Sequence, residues 1–382
     1  MKFLKRFFLV LLSLIIFASL LAIVTGNKHL FKAISTTYLV GRTGPGIDDY
    51  KYFENRTIKA GTYLEWKKSK KYNHYQNNEL HKEIEKHNPS AFVVVKDNEI
   101  IYEEYWDNYN ENSKTNSFSM AKSYTSLLIG IAIQEGKINS VNDPVGDYIS
   151  EYKNNPELTI KDLLTMSSGI DFDESYNSPF GHMAKAYYGT DLKTLNNKYK
   201  ITSNPGKQWT YLGGNTIILG LIIEKVSGQS VSEYFSDKIW SKIGAKNDAL
   251  WTLDKKNGTE KAYCCFYSNA RDFARVGQLL LNCGTWNGER VISETYLDEA
   301  TKPAYYLKDK YGKPVDFYGY QIWTAYYKNL DVYFFRGILG QYTIMIPEKN
   351  IVIVRLGHER SSKFVNGNPS DFYTYIDFAL GI

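Results

Sequence analysis

The chain has 382 residues, of which 43% are hydrophobic and 23% charged. That is an ordinary globular balance: it excludes a disordered or fibrous protein and leaves room for one large domain or two to three smaller ones. The formal net charge is +5, and three basic residues, Lys2, Lys5 and Arg6, lie in an N-terminal tail without acid; the rest is nearly neutral with no basic stripe, so nucleic acid is not an expected partner.

Residues 1–26 read as a targeting segment outside the fold. Lys2, Lys5 and Arg6 precede an apolar stretch from Phe7 to Val24, interrupted only by Ser13 and Ser19. A helix needs about 20 residues to span hydrocarbon, whereas a signal-peptide core is usually about 7–15. The stretch is therefore read as an uncleaved anchor in preference to a signal cleaved near Val24-Thr25-Gly26. Either way the remainder is expected outside the cytoplasm. It would be anchored in the inner membrane and facing the periplasm, or secreted or periplasmic if the segment is cleaved.

Residues 27–87 are polar, rich in Lys, Tyr and Asn, and read as a juxtamembrane segment and wrap-around arm. The main domain is expected over 88–382. Ala91 to Val95 is a short apolar run, Asp97-Asn98 turns the chain, and Ile100, Tyr102 and Glu104 alternate with their neighbours, as in a hairpin. Helices are expected at Ser119–Glu135, stopped by Gly136, and at 160–166 with Thr159 as N-cap. Further helices are expected at 216–226 with Asn215 as N-cap, at 270–281 and at 371–380. Residues 171–206 read as loop. Short aromatic or β-branched runs at 317–324, 332–336, 342–346 and 351–356 read as strands, with Pro347 to Asn350 as a tight turn. Strands at both ends and helices between predict an α+β fold: one antiparallel sheet from both chain ends, flanked by helices, with a mostly helical lobe inserted.

Cys264, Cys265 and Cys283 are the cysteines. Adjacent cysteines rarely pair, so at most one bridge, to Cys283, is expected, with one thiol left over. The six histidines are scattered, with no metal-ligand spacing. No metal or organic cofactor is expected.

Ser119-Met120-Ala121-Lys122 opens the first strong helix. Residues three apart share a face, so hydroxyl and amine are neighbours, and the helix N-terminus favours a developing oxyanion at the serine. A nucleophile beside a base is the signature of covalent catalysis. Ser-x-x-Lys alone is weak, and a serine cap beside an exposed lysine explains it as well. Two further blocks give it context. Pro205-Gly206 to Tyr211 sets a tyrosine just before a helix, where it can relay a proton. Phe335-Arg336-Gly337-Ile338-Leu339-Gly340-Gln341 joins two strands, and its glycines let a backbone N–H approach a substrate carbonyl.

With Asp162-Leu163-Leu164-Thr165-Met166-Ser167-Ser168-Gly169 and Asn269 to Arg275 in order between these blocks, the chain resembles the serine hydrolases of the class C β-lactamase, penicillin-binding-protein and esterase superfamily. The fifth block is most similar to the aminohexanoate-oligomer hydrolase and carboxylesterase branch. The resemblance implies a β-lactamase/transpeptidase-like fold. It implies Ser119 as acylated nucleophile, Lys122 as base, Tyr211 as proton shuttle, and the N–H groups of Ser119 and Ile338 as oxyanion hole. Gly337, Tyr176, His182 and Asn215 are candidate substrate contacts.

Two departures stand out. Gly213 replaces the asparagine two residues after the tyrosine, and Phe335-Arg336-Gly337 replaces Lys-Thr-Gly. Phe335 cannot meet a β-lactam carboxylate, and strand alternation turns Arg336 to the opposite face. Both departures favour a neutral ester, amide or short peptide over a β-lactam. The expected activity is an exported hydrolase forming an acyl-enzyme on Ser119. The rivals are a D-alanyl peptidase or β-lactamase proper, and a non-catalytic penicillin-binding-fold protein that binds cell-wall peptide.

Overall fold

The computed structural model describes residues 1–75 and 77–382. Its main sheet has seven strands: β1 (Lys67–Lys68), β2 (Pro89–Lys96), β3 (Glu99–Tyr105), β4 (Trp323–Tyr327), β5 (Leu330–Gly337), β6 (Gln341–Ile346) and β7 (Ile351–Gly357). The spatial order is β4-β5-β6-β7-β2-β3-β1. Every pairing is antiparallel except that of the short β1 with β3. The expected hairpin turn is the two-residue link Asp97-Asn98, both residues with positive φ (51° and 62°), the backbone that a type I′ turn requires.

The β7–β2 pairing closes the sheet from the two ends of the chain. Val93, Val95, Phe335, Met345, Val352 and Val354 face a core shared with the Met120–Gln134 and Ala270–Leu281 helices. Phe92, Val94, Phe334, Ile344 and Ile353 face the other way, onto the C-terminal helix Asp371–Gly381. Both faces are buried, so the central strands read in sequence as continuous apolar runs and do not alternate. The fold is the expected α+β arrangement, with helices on both faces of the sheet.

Between the sheet-forming ends lies a mostly helical lobe: Ile160–Leu164, His182–Tyr188, Leu192–Asn196 and Gly213–Ser227. Thr159 caps the first of these in a reciprocal capping box with Asp162. Four features differ from expectation. The 171–206 stretch read as loop holds two short helices, His182–Tyr188 and Leu192–Asn196, the second capped by Asp191. The 317–324 run is strand only from Trp323, because Gln321 sits at φ 57° and breaks the extended backbone. A second, four-stranded sheet was not legible; it pairs Asn55–Ile58, Ala249–Thr252, Phe266–Ser268 and Thr115–Asn116, all short. The cysteine pairing also differs: Cys264 is bonded to its neighbour Cys265, and Cys283 is free and exposed. Cys265 takes φ 68° there, a backbone that most residues avoid.

Lys2–Val24 forms one helix of 23 residues, none buried, long and apolar enough to cross a membrane. The arm then makes the helix His29–Thr36, strand Asn55–Ile58 and β1 before the helix Asn78–Glu85. Glu103 on β3 ties it down. Its carboxylate, 6% exposed, accepts from Tyr72 Oη (2.7 Å) and Arg271 Nε (2.7 Å) and pairs with Lys68 (3.2 Å). Burial alone would raise its pKa, but Arg271, Tyr72 and Lys68 outweigh burial and hold it at about 2. A carboxyl lowered by folding stabilises above its unfolded value and loses that contribution as pH falls through the folded one. Glu103→Gln should therefore cost on the order of 3 kcal/mol at pH 7. Urea denaturation should show the difference from wild type shrinking as the pH drops from about 5 to about 2.

Candidate active site

Ser119 stands at the first turn of the Met120–Gln134 helix, at φ −66° and ψ −6°. The approach to it is tightly held. Ser117 N donates to Phe266 O of the small sheet (2.8 Å), and Phe118 N donates to Asn116 Oδ1 (2.8 Å). Phe118 itself is forced to φ 45°, unusual for a bulky residue. The Ser119 side chain makes no capping bond to the helix. Its Oγ instead accepts from Lys122 Nζ at 3.0 Å, one turn on.

Lys122 is 1% exposed and donates a second bond to Tyr263 O at 2.9 Å. Its ammonium lies 5.0 Å from the ring centre of Tyr211 and 5.5 Å from that of Tyr263, within cation–π range of both. Tyr211 precedes the Gly213–Ser227 helix, and among the described residues its hydroxyl has no hydrogen-bond partner. Beside it, Glu174 accepts from Gly213 N (2.6 Å) and Tyr176 Oη (2.7 Å). Burial pushes the Glu174 carboxyl up, against the pull of Lys122 and the Gly213 N–H.

Gly337 ends β5 and lies hard against the serine turn: a Cβ there would stand 2.3 Å from Ser117 O and 3.1 Å from Phe118 Cβ. Only glycine allows the Gly337–Ile338 backbone to come this close.

Ser119, Tyr176 and Ile338 together wall two cavities. The first, about 220 Å³, is apolar, with Phe118, Met183, Tyr187 and arm residues such as Ala33 and Pro45 in its lining. The second, about 260 Å³, is lined by Trp209, Tyr211, Trp323, Arg336, Gly337 and Arg360.

Ser119, Lys122, Tyr211, Gly337, Ile338 and Tyr176 are therefore brought together. Two expected contacts are not. His182 accepts from Asp173 N at its Nδ1 (2.8 Å), packs on Phe172 and Tyr199, and lines neither cavity. Asn215 neither caps a helix nor reaches the cavities. The helix starts two residues earlier, at Gly213, and Asn215 is buried inside it, accepting from Ser168 and donating to Met166 Sδ.

The strand block also needs correction. Phe335 is fully buried against Tyr124 of the serine helix, with ring centres 5.7 Å apart, and offers nothing to a substrate. Arg336 does alternate away from it, but the opposite face at this strand end opens on the second cavity. Its guanidinium stacks on Trp323, 3.6 Å from the ring centre, and donates to Asn368 Oδ1 at 2.8 Å. Burial lowers its pKa. Among the described residues no carboxylate pairs with Arg336 or Arg360. Sequence reasoning missed Glu174, Arg336 and Arg360. Only Arg336 carried a signal, as a cation in a run otherwise apolar or glycine.

A family model described as Beta-lactamase matches residues 78–370. A 6-aminohexanoate-dimer hydrolase from Paenarthrobacter ureafaciens is 28% identical over 232 residues, covering 58% of this chain. The chain spans about three fifths of that relative, 59% of its length. Among solved structures, a Bacillus anthracis chain described provisionally as a 6-aminohexanoate-dimer hydrolase superposes with TM-score 0.74 at 24% identity, covering 86% of this chain and 91% of that one. A family VIII carboxylesterase superposes with TM-score 0.62 at 18% identity, covering 83% and 98%. These structures share the fold.

The close approach of Gly337 is directly testable. Gly337→Ala should cost about 1–3 kcal/mol, because backbone atoms on both sides must move. Chemical denaturation measures that cost; a change within 0.5 kcal/mol, about the scatter expected of a neutral surface substitution, would mean that the turn is looser than described.

Proposed function

This chain belongs to the beta-lactamase family, and on that basis we propose that it is a serine hydrolase that cleaves an ester or amide through an acyl-enzyme on Ser119. The observation that carries the reading is the Ser119 hydroxyl: it forgoes the helix cap and accepts from a buried lysine at the junction of two cavities. In this reading Lys122, as the neutral amine, takes the Ser119 proton as Oγ attacks the carbonyl carbon. The N–H groups of Ser119 and Ile338 meet the resulting oxyanion, and the helix N-terminus adds favourable potential. Tyr211 hands the proton to the leaving group, which departs into the cavity Tyr211 lines. Water then enters by the same proton route and releases the acid. The name of the Paenarthrobacter relative supports an amide as one substrate type. We further place the catalytic fold outside the cytoplasm, held by Lys2–Val24.

The leaving-group cavity is cationic. Arg336 and Arg360 face it without a carboxylate of the protein's own, and a desolvated guanidinium of this kind is best satisfied by an acid on the substrate. This reverses the expectation of a neutral substrate that rested on Phe335. It also lends support to the second reading, a D-alanyl peptidase or β-lactamase, whose substrates carry a carboxylate on that side.

Ser119→Ala should abolish turnover of an activated ester, by up to about 10⁶ in kcat; retention of a tenth of the wild-type rate would refute the nucleophile. Lys122→Ala and Tyr211→Phe should each cost orders of magnitude, and the double variant little more than the worse single, as expected of groups that act as a unit. Strictly multiplicative losses would mean independent roles. For the cavity, an ester with a carboxylate on its leaving group should exceed the same ester with that carboxylate replaced by a neutral carboxamide in kcat/KM by about tenfold to a hundredfold, the worth of one charge-assisted hydrogen bond. Arg336→Met should erase the difference; equal rates for both esters in wild type would remove the acid-binding role.

A further inference from the structure

The apolar cavity at Ser119 is walled in part by the arm that leads out of the membrane-length helix. Ala33, Thr37, Tyr38 and Pro45 come from that arm, and Tyr176, Met183 and Tyr187 from the loop and helix opposite. The two sides are clasped. Asp49, 1% exposed, accepts from Arg42 Nη2 (2.7 Å), Gly46 N (2.9 Å) and Tyr187 Oη (3.1 Å), and His29 Nε2 meets Pro179 O at 2.7 Å. On the segments that carry these lining residues, large apolar side chains are left in solvent: Phe31, Ile34, Tyr38, Leu39 and Val40 on the arm and Phe180 opposite. Six residues separate the first of these from the end of Lys2–Val24, a helix with no buried residue whose most apolar 18-residue stretch has a mean hydropathy of 3.1. From Val24 to Ala33 the chain reaches roughly 25 Å at most, given five extended steps and one turn of helix. The cavity and these apolar side chains therefore lie within reach of the bilayer surface that this helix would enter. Aromatic and aliphatic side chains beside the end of such a helix suit the interface.

We propose that this cavity is an acyl pocket and that the substrate is an amphiphilic ester or amide with an apolar acyl chain, taken from the membrane that holds Lys2–Val24. The inference rests on the hydrolase reading above. Tyr211 lines the second cavity and not the first, so the leaving group departs there and the acyl group occupies the apolar side. Ser119 Oγ bonds to the acyl carbon, the alcohol or amine leaves with a proton, and water regenerates the serine and frees a fatty acid.

Full-length protein in phosphatidylcholine–phosphatidylglycerol vesicles is assayed with 4-methylumbelliferyl esters from acetyl to dodecanoyl. A buried methylene is worth about fourfold at most, and partial burial predicts that kcat/KM rises at least tenfold from acetyl to octanoyl. The dodecanoyl ester, dissolved in the vesicles, should be turned over at least as fast as the octanoyl ester. Ala33→Trp, or Ala184→Phe at another lining residue of the same cavity should the first fail to label with a fluorophosphonate, should bring the octanoyl-to-acetyl ratio within twofold of one. A flat or falling series that still depends on Ser119 overturns this inference and leaves the hydrolase reading standing. A ratio unmoved in the labelled variant overturns the pocket assignment, and a vesicle-bound ester left uncleaved overturns the membrane source. Turnover that survives Ser119→Ala overturns the hydrolase reading itself.

Discussion

The Nζ of Lys122 is almost fully buried, and among the described residues no carboxylate lies within ion-pair distance of it. It is met by two neutral oxygens, Ser119 Oγ and Tyr263 O, and by the faces of Tyr211 and Tyr263. A buried polar group is costly unless its hydrogen bonds are satisfied, so the chain must deliver all of these groups to one point. The serine helix supplies Ser119. The segment before the Phe266–Ser268 strand supplies Tyr263, and the lead-in to the Gly213–Ser227 helix supplies Tyr211. The small sheet then fixes the serine turn through Ser117 and Phe266, and β5 closes it from the far side with Gly337. These elements converge on that one nitrogen.

The same arrangement separates two chemistries across one hydroxyl. Ser119, Tyr176 and Ile338 form a shared partition; an apolar chamber lies on one side and a guanidinium-lined chamber on the other. Arg336 can stay charged in a half-buried position because Trp323 offers a π-face and Asn368 an acceptor. Those two contacts leave part of the fork facing the cavity. Glu174 balances the other flank: it is tied to the N-terminus of the Gly213–Ser227 helix and to Tyr176, a residue that both chambers share.

Much of this was legible in the sequence, for identifiable reasons. The serine helix, the capped 160–164 turn, the β2–β3 hairpin and the C-terminal strands each combine strong periodicity with a local stop signal, and each appears within a few residues of its expected place. Ser119 and Lys122 were legible because their spacing is local to one helix. The failures at the site are long-range. Asn215 looked like a cap because Gly213 and Gly214, poor helix formers, in fact begin the helix; Gly214 packs so tightly on Ile170 and Phe172 that no side chain fits. His182 looked like a pocket residue because its loop borders the pocket, yet Asp173 N claims its Nδ1. Arg336 was assigned to the correct face of its strand, but no pattern reveals what that face opens on. The strands of the small sheet are two to four residues long, too short to show a period.

The pairing of β7 with β2 also governs when the protein can acquire its shape. Residues 351–357 register against residues 89–96, so the central sheet has a gap until nearly the last of the chain is available. Ile338 and Arg336 arrive just as late. Such non-local pairing imposes a large loop-closure cost before any contact repays it, and it slows folding. A chain with this topology stays incomplete throughout synthesis. If the N-terminal helix directs it across a membrane while it is still being made, the segment that passes is an open chain. Ser119 then waits without Gly337 and Ile338 beside it until the final strands reach the far side.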